Sequence, residues 1–298
     1  MPFCDHLAVT FHRERNPAGS LRALLSDLGA VALDDRTYRL GEGTVKLYVT
    51  YGVMYCSASG AAIASMRDAS RYMDWLSIIS EWPHRITRLD VAHDVFIDGA
   101  DVLDALRSRY PSGLVNLGRK SLRVKLELAI REDGRETGTF YVGHRSKARA
   151  TARVYDKRQE RLDRAGIAGP HRTRYEVTVK QDYGATLRDA AEPERLFWHV
   201  ASPALLDTPP GMPHWTADWS QGWRSDPRPE LSPVDVLERR IAASSELDLL
   251  TSLADEIGPN GRVLLARRLL SRLGVECDSQ LRNASARSLE ASEATPDL

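Results

Sequence analysis

The sequence predicts a mixed α+β fold with an antiparallel central sheet, followed by a small helical region. Two features predict the sheet. Segments of alternating, β-branched residues recur from residue 1 to about 200, and several are joined by short turn-like stretches such as REDGRE. The helical segments among them are short and amphipathic. A third feature sets the boundary: beyond about residue 205 the alternation stops and only helical periodicity returns.

Residues 6–12 (HLAVTFH) alternate and read as a strand. Residues 20–28 (SLRALLSDL) space leucines for a helix, with Ser20 as N-cap and Gly29 as stop. Residues 44–57 form one or two strands around Gly52, and residues 69–80 (ASRYMDWLSIIS) form an amphipathic helix ended by Pro83. Residues 85–97 (RITRLDVAHDVFI) are the most strand-like segment of the chain. A short helix at 101–109 is closed by Pro111 and Gly113. Strands follow at 122–130, 138–143 and 150–155, then a charged helix at 156–164 ended by Gly166 and Pro170. Residues 172–180 (RTRYEVTVK) are again a strand, and 185–197 are helical. The stretch 202–233, rich in proline and tryptophan, reads as a linker or an irregular packing segment. The expected organisation is a domain at 1–205, a linker at 206–232, a helical region at 233–275 and a disordered tail at 276–298. No internal repeat occurs at a fixed period.

Composition removes several function classes. No run of about 20 apolar residues occurs, so no membrane helix is expected. The opening MPFCDHLAVTFHRER lacks the basic and apolar stretches of a signal peptide, and a cytoplasmic protein is expected. Three scattered cysteines, Cys4, Cys56 and Cys277, form neither a disulfide framework nor a zinc motif. Phosphate-binding glycine loops, the GxSxG elbow and HExxH are all missing. Net charge is zero, but the average hides a block: residues 144–174 carry ten Lys and Arg against three Asp and Glu, a net of +7. Such a block suits phosphate neutralisation.

Three segments carry chemistry. By period two, Arg88, Asp90, Ala92 and Asp94 share one face of their strand. Two carboxylates there are costly to bury unpaired, so arginine or a hard divalent cation must compensate. On RTRYEVTVK, Arg174, Glu176, Thr178 and Lys180 share a face. Glu176 either joins Asp90 at a metal or is an ordinary salt-bridged glutamate. On ATARVYDK, Arg153, Tyr155 and Lys157 share a face. A tyrosine nucleophile has an ordinary pKa near 10 and needs neighbouring positive charge or a base. Packing of a tyrosine between basic residues is the plain alternative.

Taken together and in order, three blocks resemble a family. RITRLDVAHDVF resembles the RxDxxxD strand of the Rep_trans replication initiation factors, known from rolling-circle plasmids, filamentous phages and integrative elements. TFYVGHRSKARATARVYDKRQE resembles their aromatic-glycine strand, basic-serine turn and R-x-Y-D-K-x-x-E block, and TRYEVTVK resembles their R-x-E-x-x-x-K strand. The opening DHLAVTF is more loosely similar to the family's first strand, so the resemblance spans about residues 3–205. It implies a ferredoxin-like, nickase-type core and a metal-dependent DNA nickase. Tyr155 would attack an origin phosphodiester, leaving a 5′-phosphotyrosine and a free 3′-OH primer. Arg153 and Lys157 would assist it. Asp90 and Glu176, with Asp94 as a third ligand, would hold Mg²⁺ or Mn²⁺. Arg145, Ser146, Lys147, Arg149, Arg158 and Arg174 would bind DNA. The implied partners are origin DNA, a host helicase and polymerase, and a second copy in a homodimer. Two other readings stay open: a DNA-binding regulator without enzymatic activity on the same scaffold, and a tyrosine recombinase or topoisomerase working without a metal.

Overall fold

The structure is a computed structural model describing residues 1–12, 15–50, 53–117, 120–144 and 147–217, with Glu256, Gly258 and Val263 beyond them. The chain divides into two compact units, 1–224 and 225–298. The expected tail at 276–298 lies outside the described residues, as does all but those three positions of the expected helical region.

The first unit is made of two halves with the same path. The first half runs β1 (Phe3–His12), α1 (Ala18–Asp27), β2 (Val31–Ala32), β3 (Thr37–Leu40), β4 (Gly43–Thr50) and β5 (Val53–Ser59), then α2 (Gly60–Asp68) and α3 (Tyr72–Ser80). The second runs β6 (His84–Val95), α4 (Gly99–Arg109), β7 (Leu114–Leu117), β8 (Lys120–Ile130), β9 (Glu136–Val142), β10 (Ala150–Asp156), α5 (Lys157–Ala165) and β11 (Thr173–Lys180), then α6 (Leu187–Ala191) and α7 (Glu194–Ala201). In each half a strand and a helix are followed by a meander that returns to pair with the opening strand. The two opening strands pair antiparallel at the centre. Among the described residues this gives one eleven-stranded sheet, in the order β2-β3-β4-β5-β1-β6-β11-β10-β9-β8-β7. The mixed α+β class with a large antiparallel sheet is as the sequence predicts.

One face of the sheet is apolar by alternation and buries Leu7, Val9 and Phe11 of β1, Leu89 and Val91 of β6, and Val177 and Val179 of β11. Leu21, Leu25, Trp75, Ile79, Leu103 and Phe197 from the helices complete the same core. Burial on this scale drives the fold, at about 1.5–3 kcal/mol per fully buried large apolar side chain. Cys4 and Cys56 are buried members of it. No helix of the described residues is long and apolar enough to cross a membrane.

Several elements differ from expectation. Helix α1 starts at Ala18 after Pro17, not at a Ser20 cap, and Leu21 N–H donates to the Pro17 carbonyl at 2.9 Å. The helix expected at 69–80 is α3 and begins only at Tyr72, and a second helix, α2, precedes it where none was expected. Ser70 takes a left-handed φ of 57° between α2 and α3, which interrupts the backbone ladder. Helix α2 (GAAIASMRD) buries only Ala62, Ile63 and Met66, too narrow an apolar stripe to signal itself in sequence. The helix expected at 185–197 is interrupted at Pro193. Within the proline-rich stretch, Trp215 is buried and its Nε1 donates to Asp189 at 2.7 Å, so this part packs on the domain rather than linking it to another.

Candidate active site

The second face of strands β6, β11, β10, β9 and β8 turns away from the core and carries the charged residues in rows. One row places Asp94, Arg174, Tyr155, Thr139 and Glu127 on successive strands. The next places Ala92, Glu176, Arg153, Tyr141 and Lys125. The third pairs Asp90 with Thr178 and Thr178 with Thr151. Segments far apart in the chain therefore meet because antiparallel register aligns their period-two faces.

Tyr155 stands at the end of β10, where Asp156 caps α5 by accepting the Gln159 backbone N–H at 2.9 Å. The Arg153 guanidinium lies 5.1 Å from the Tyr155 ring centre and the Lys157 ammonium 5.6 Å from it. Lys157 also pairs with Glu160. The sequence-predicted trio of Arg153, Tyr155 and Lys157 is thus brought together. Its electrostatics differ from the simple expectation. Burial raises the Tyr155 hydroxyl pKa above its ordinary value and Glu176 adds to that, outweighing Arg174 and Arg153. The free protein holds this phenol protonated.

Each acid faces an arginine. Arg88 grips Asp90 with two hydrogen bonds, Nε to Oδ1 at 2.8 Å and Nη2 to Oδ2. Arg153 Nη2 donates to Glu176 Oε2 at 2.7 Å. Arg174 holds Asp94 through Nε at 2.6 Å and Nη2 at 2.9 Å, and reaches Asp5 at 3.1 Å. Asp90 and Glu176 are 2% and 1% exposed. Burial pushes the Glu176 carboxyl up to about 6, helped by the negative charges of Asp90 and Asp5 and opposed by Arg153.

Among the described residues no group of three His, Cys, Asp or Glu converges on one point. Asp90 and Asp94 are four residues apart on one strand, about 13 Å, so they cannot share an ion. Asp94 is accordingly a partner of Arg174 and not a third ligand beside Asp90. Asp90 and Glu176 are diagonal neighbours that feel each other's charge, a pair suited in chemistry to Mg²⁺, which takes one or two carboxylates and completes its shell with water and phosphate.

The expected DNA contacts divide. Lys147 and Arg149 are exposed beside the turn before β10. Arg158 ties α5 to the following loop by donating to the Gly169 carbonyl at 2.9 Å. Arg174 is 8% exposed and committed to two carboxylates, so it acts as an internal counter-ion and not as a surface phosphate contact. Arg145 and Ser146 lie outside the described residues. The sequence reading missed Asp5 and His6. His6 pairs in register with Asp90, and burial lowers its pKa, which favours the neutral ring. A register shift between Cys4 and His6 places Asp5 against Arg174, which strict alternation does not foresee.

Two cavities border this face. One of about 250 Å³ is lined by Arg88, Tyr141, Arg153 and Glu176 among others. One of about 460 Å³ has Tyr155 in its wall, between β8, β9 and α5.

The rows just described fall inside the segment that known proteins share. Residues 84–189 match the replication initiation factor family, Rep_trans. The match bears out the resemblance carried by the three sequence blocks, over a shorter span that leaves out β1. No curated protein matches the chain. Among solved structures, a rolling circle replication initiator protein from Geobacillus stearothermophilus is similar at 17% identity, over 64% of this chain and 79% of that one, with a TM-score of 0.44. The di-domain ARO/CYC proteins BexL and StfQ each share 12% identity, with TM-scores of 0.18 and 0.19. BexL is covered over 99% and StfQ over 92% of its length, against 69% and 66% of this chain.

Proposed function

We propose that this protein is a replication initiation factor that nicks one DNA strand with Tyr155. The observation that supports it most is the position of Tyr155 within the family-matched segment, between the Arg153 and Lys157 cations, one row from Glu176 and two from Asp90. Tyr155 Oη would attack the scissile phosphorus and break the P–O3′ bond. The phenol proton leaves and the departing 3′ oxygen takes one up, so one phosphodiester replaces another and no external energy source is required. The products are a 5′-phosphotyrosine and a 3′-OH able to prime a polymerase.

Arg153 and Lys157 supply positive charge where the phosphorane develops negative charge. An arriving phosphate also competes with Glu176 for Arg153. Asp90 and Glu176 are the residues that would hold Mg²⁺ or Mn²⁺, which when bound would polarise the phosphate. The raised Tyr155 pKa implies that the phenol is still protonated when DNA arrives and gives up its proton in the attack itself.

The closed Arg–carboxylate pairs favour a second reading, a DNA-binding regulator whose ionic rows serve the fold alone. One experiment separates the two. Protein is incubated with single-stranded DNA from its own element and Mn²⁺, then denatured and resolved by electrophoresis. A covalent adduct lost in Tyr155→Phe and in EDTA supports the nickase. An adduct that survives EDTA refutes the metal role, one that survives Tyr155→Phe refutes the nucleophile, and no adduct at all supports the regulator.

A further inference from the structure

The cavity of about 250 Å³ has no part in the attack just described, since Tyr155 is not in its wall. It sits at the level of Thr151 and Arg153, which precede Tyr155 by four and two residues on β10. At the rise of a strand its centre is therefore about 7–14 Å along the sheet from Tyr155. That is the order of one or two nucleotide steps. Its lining combines three features. Arg88, Arg153 and Lys180 bring three cations against the single carboxylate of Glu176. Thr151 and Thr178 offer hydroxyls from the sheet. Tyr141 supplies an aromatic ring, steadied from β8 by Lys125, whose ammonium lies 6.0 Å from the ring centre.

A site of about 250 Å³ lies just below the usual range for drug-sized ligands, roughly 300–1,000 Å³, and suits a single small unit. Aromatic rings next to cationic grooves are how proteins hold single-stranded nucleic acid: the ring stacks a base and the cations follow the backbone. The rows on β6, β11 and β10 carry such cations, and this pocket joins three of them to an aromatic wall.

We propose that this pocket receives one nucleotide of the bound DNA strand, its base against Tyr141 and its phosphate on Arg88, Arg153 and Lys180, beside the phosphodiester that faces Tyr155. The proposal rests on the nickase reading for the identity of the ligand. It adds a subsite that would fix which phosphodiester reaches Tyr155, because a base seated in the recess sets the register of the DNA strand on the sheet.

The test measures binding apart from cleavage. The full chain carrying Tyr155→Phe is the parent, titrated by fluorescence anisotropy into 5′-fluorescein 12-mers of oligodeoxyadenylate and oligodeoxythymidylate, and into a 12-mer of abasic residues. Two further variants are made in that parent: Tyr141→Ala, which removes the stacking wall, and Thr178→Trp, which fills the recess. Both should weaken binding of the base-bearing oligonucleotides about tenfold or more, the value of one stacked base, and Tyr141→Ala should leave the abasic 12-mer unchanged. Circular dichroism and thermal unfolding identify a variant that fails to fold, and the other then decides. Folded variants that bind as tightly as the parent overturn the proposal. An equal loss of the abasic 12-mer in Tyr141→Ala also overturns it, since that would reduce the recess to a phosphate contact. A parent that binds no single-stranded DNA overturns both the pocket and the nickase reading. Binding that behaves as expected, with no Tyr155 adduct from the wild type, overturns the nickase reading and leaves the pocket standing.

Discussion

Replacing Glu176 by glutamine tests whether burial or Arg153 governs the centre of the site. The carboxyl is 1% exposed and pushed from 4.5 to about 6 in the folded protein. A folded pKa above the unfolded one means that folding favours the protonated acid. Below pH 4.5 both states carry the proton and there is no penalty. Between 4.5 and 6 the unfolded chain gives it up first, and stability falls. Above 6 the full penalty applies, about 2 kcal/mol from a shift of about 1.5 units at 1.36 kcal/mol each. Arg153 binds its own proton more tightly, since Glu176 outweighs the cost of its burial. The two directions are compatible because the arginine keeps 42% of its side chain in solvent and the carboxylate almost none. Glutamine does not titrate. Its loss of charge toward Arg153 shifts the variant's stability by an offset, but the difference between variant and wild type should move by about 2 kcal/mol toward the variant from pH 4 to pH 7. Urea unfolding at half-unit pH steps reads this directly, with all other groups cancelling in the difference. A difference that stays flat would refute the dominance of burial. One that moves the other way would show that Arg153 holds Glu176 as an ordinary or strengthened anion.

Other perturbations follow from single contacts. Gly138 has φ 148° and a Cβ there would sit 1.9 Å from the Glu127 carbonyl oxygen, so Gly138→Ala should part β8 from β9 and cost several kcal/mol, on the order of other strained backbone sites, by urea unfolding. Arg131 is 8% exposed and faces Asp98 at 2.7 Å and Asp156 at 3.6 Å. Arg131→Met should therefore cost about 1.5–3 kcal/mol at neutral pH, because it removes a charged partner from Asp98 and the cation nearest Asp156, while Asp98 keeps Arg135 at 2.9 Å. Thermal unfolding at neutral pH checks this. Trp215→Ala should destabilise the first unit by about 3–5 kcal/mol, where a true linker residue would change little, and calorimetry distinguishes the two.

What the sequence made legible was what alternation alone can carry. Arg88, Asp90 and Asp94, then Arg174 and Glu176, then Arg153 and Tyr155, were each placed on one face of their own strand before any pairing was known. The register that joins these faces into rows was not legible, because it depends on which strands become neighbours. β6 and β11 are adjacent in the sheet but separated by some eighty residues of chain, as Asp94 and Arg174 show. The small strands β2, β3 and β7 were missed for another reason. At two to four residues they are too short to display a period, and pairing with longer neighbours defines them. Asp5 escaped because a register shift breaks the alternation that would have revealed it. The pairing of each acid with arginine was foreseen only as an alternative to a metal. Sequence spacing cannot decide between a guanidinium and a cation, since either can neutralise a buried carboxylate.

The repeated path of the two halves helps explain why the chemistry is concentrated on one side. Both halves bring a meander back to a central strand, so both build a second face of the same kind. In the first half that face presents Lys46, Tyr48, Tyr55, Ser57 and Ser59 on β4 and β5. The Tyr48 and Tyr55 rings lie 4.9 Å apart, tilted by 39°. Charged rows of the kind found on β6, β11 and β10 are lacking there among the described residues. The second half differs by an inserted helix, α5, whose N-cap is Asp156, the residue after Tyr155. That insertion ends β10 at the tyrosine, brings Lys157 over its ring and leaves the 460 Å³ cavity beside it. The proposed nucleophile thus lies where the repeated pattern is broken, and the break supplies both the cavity beside it and a cation over its ring.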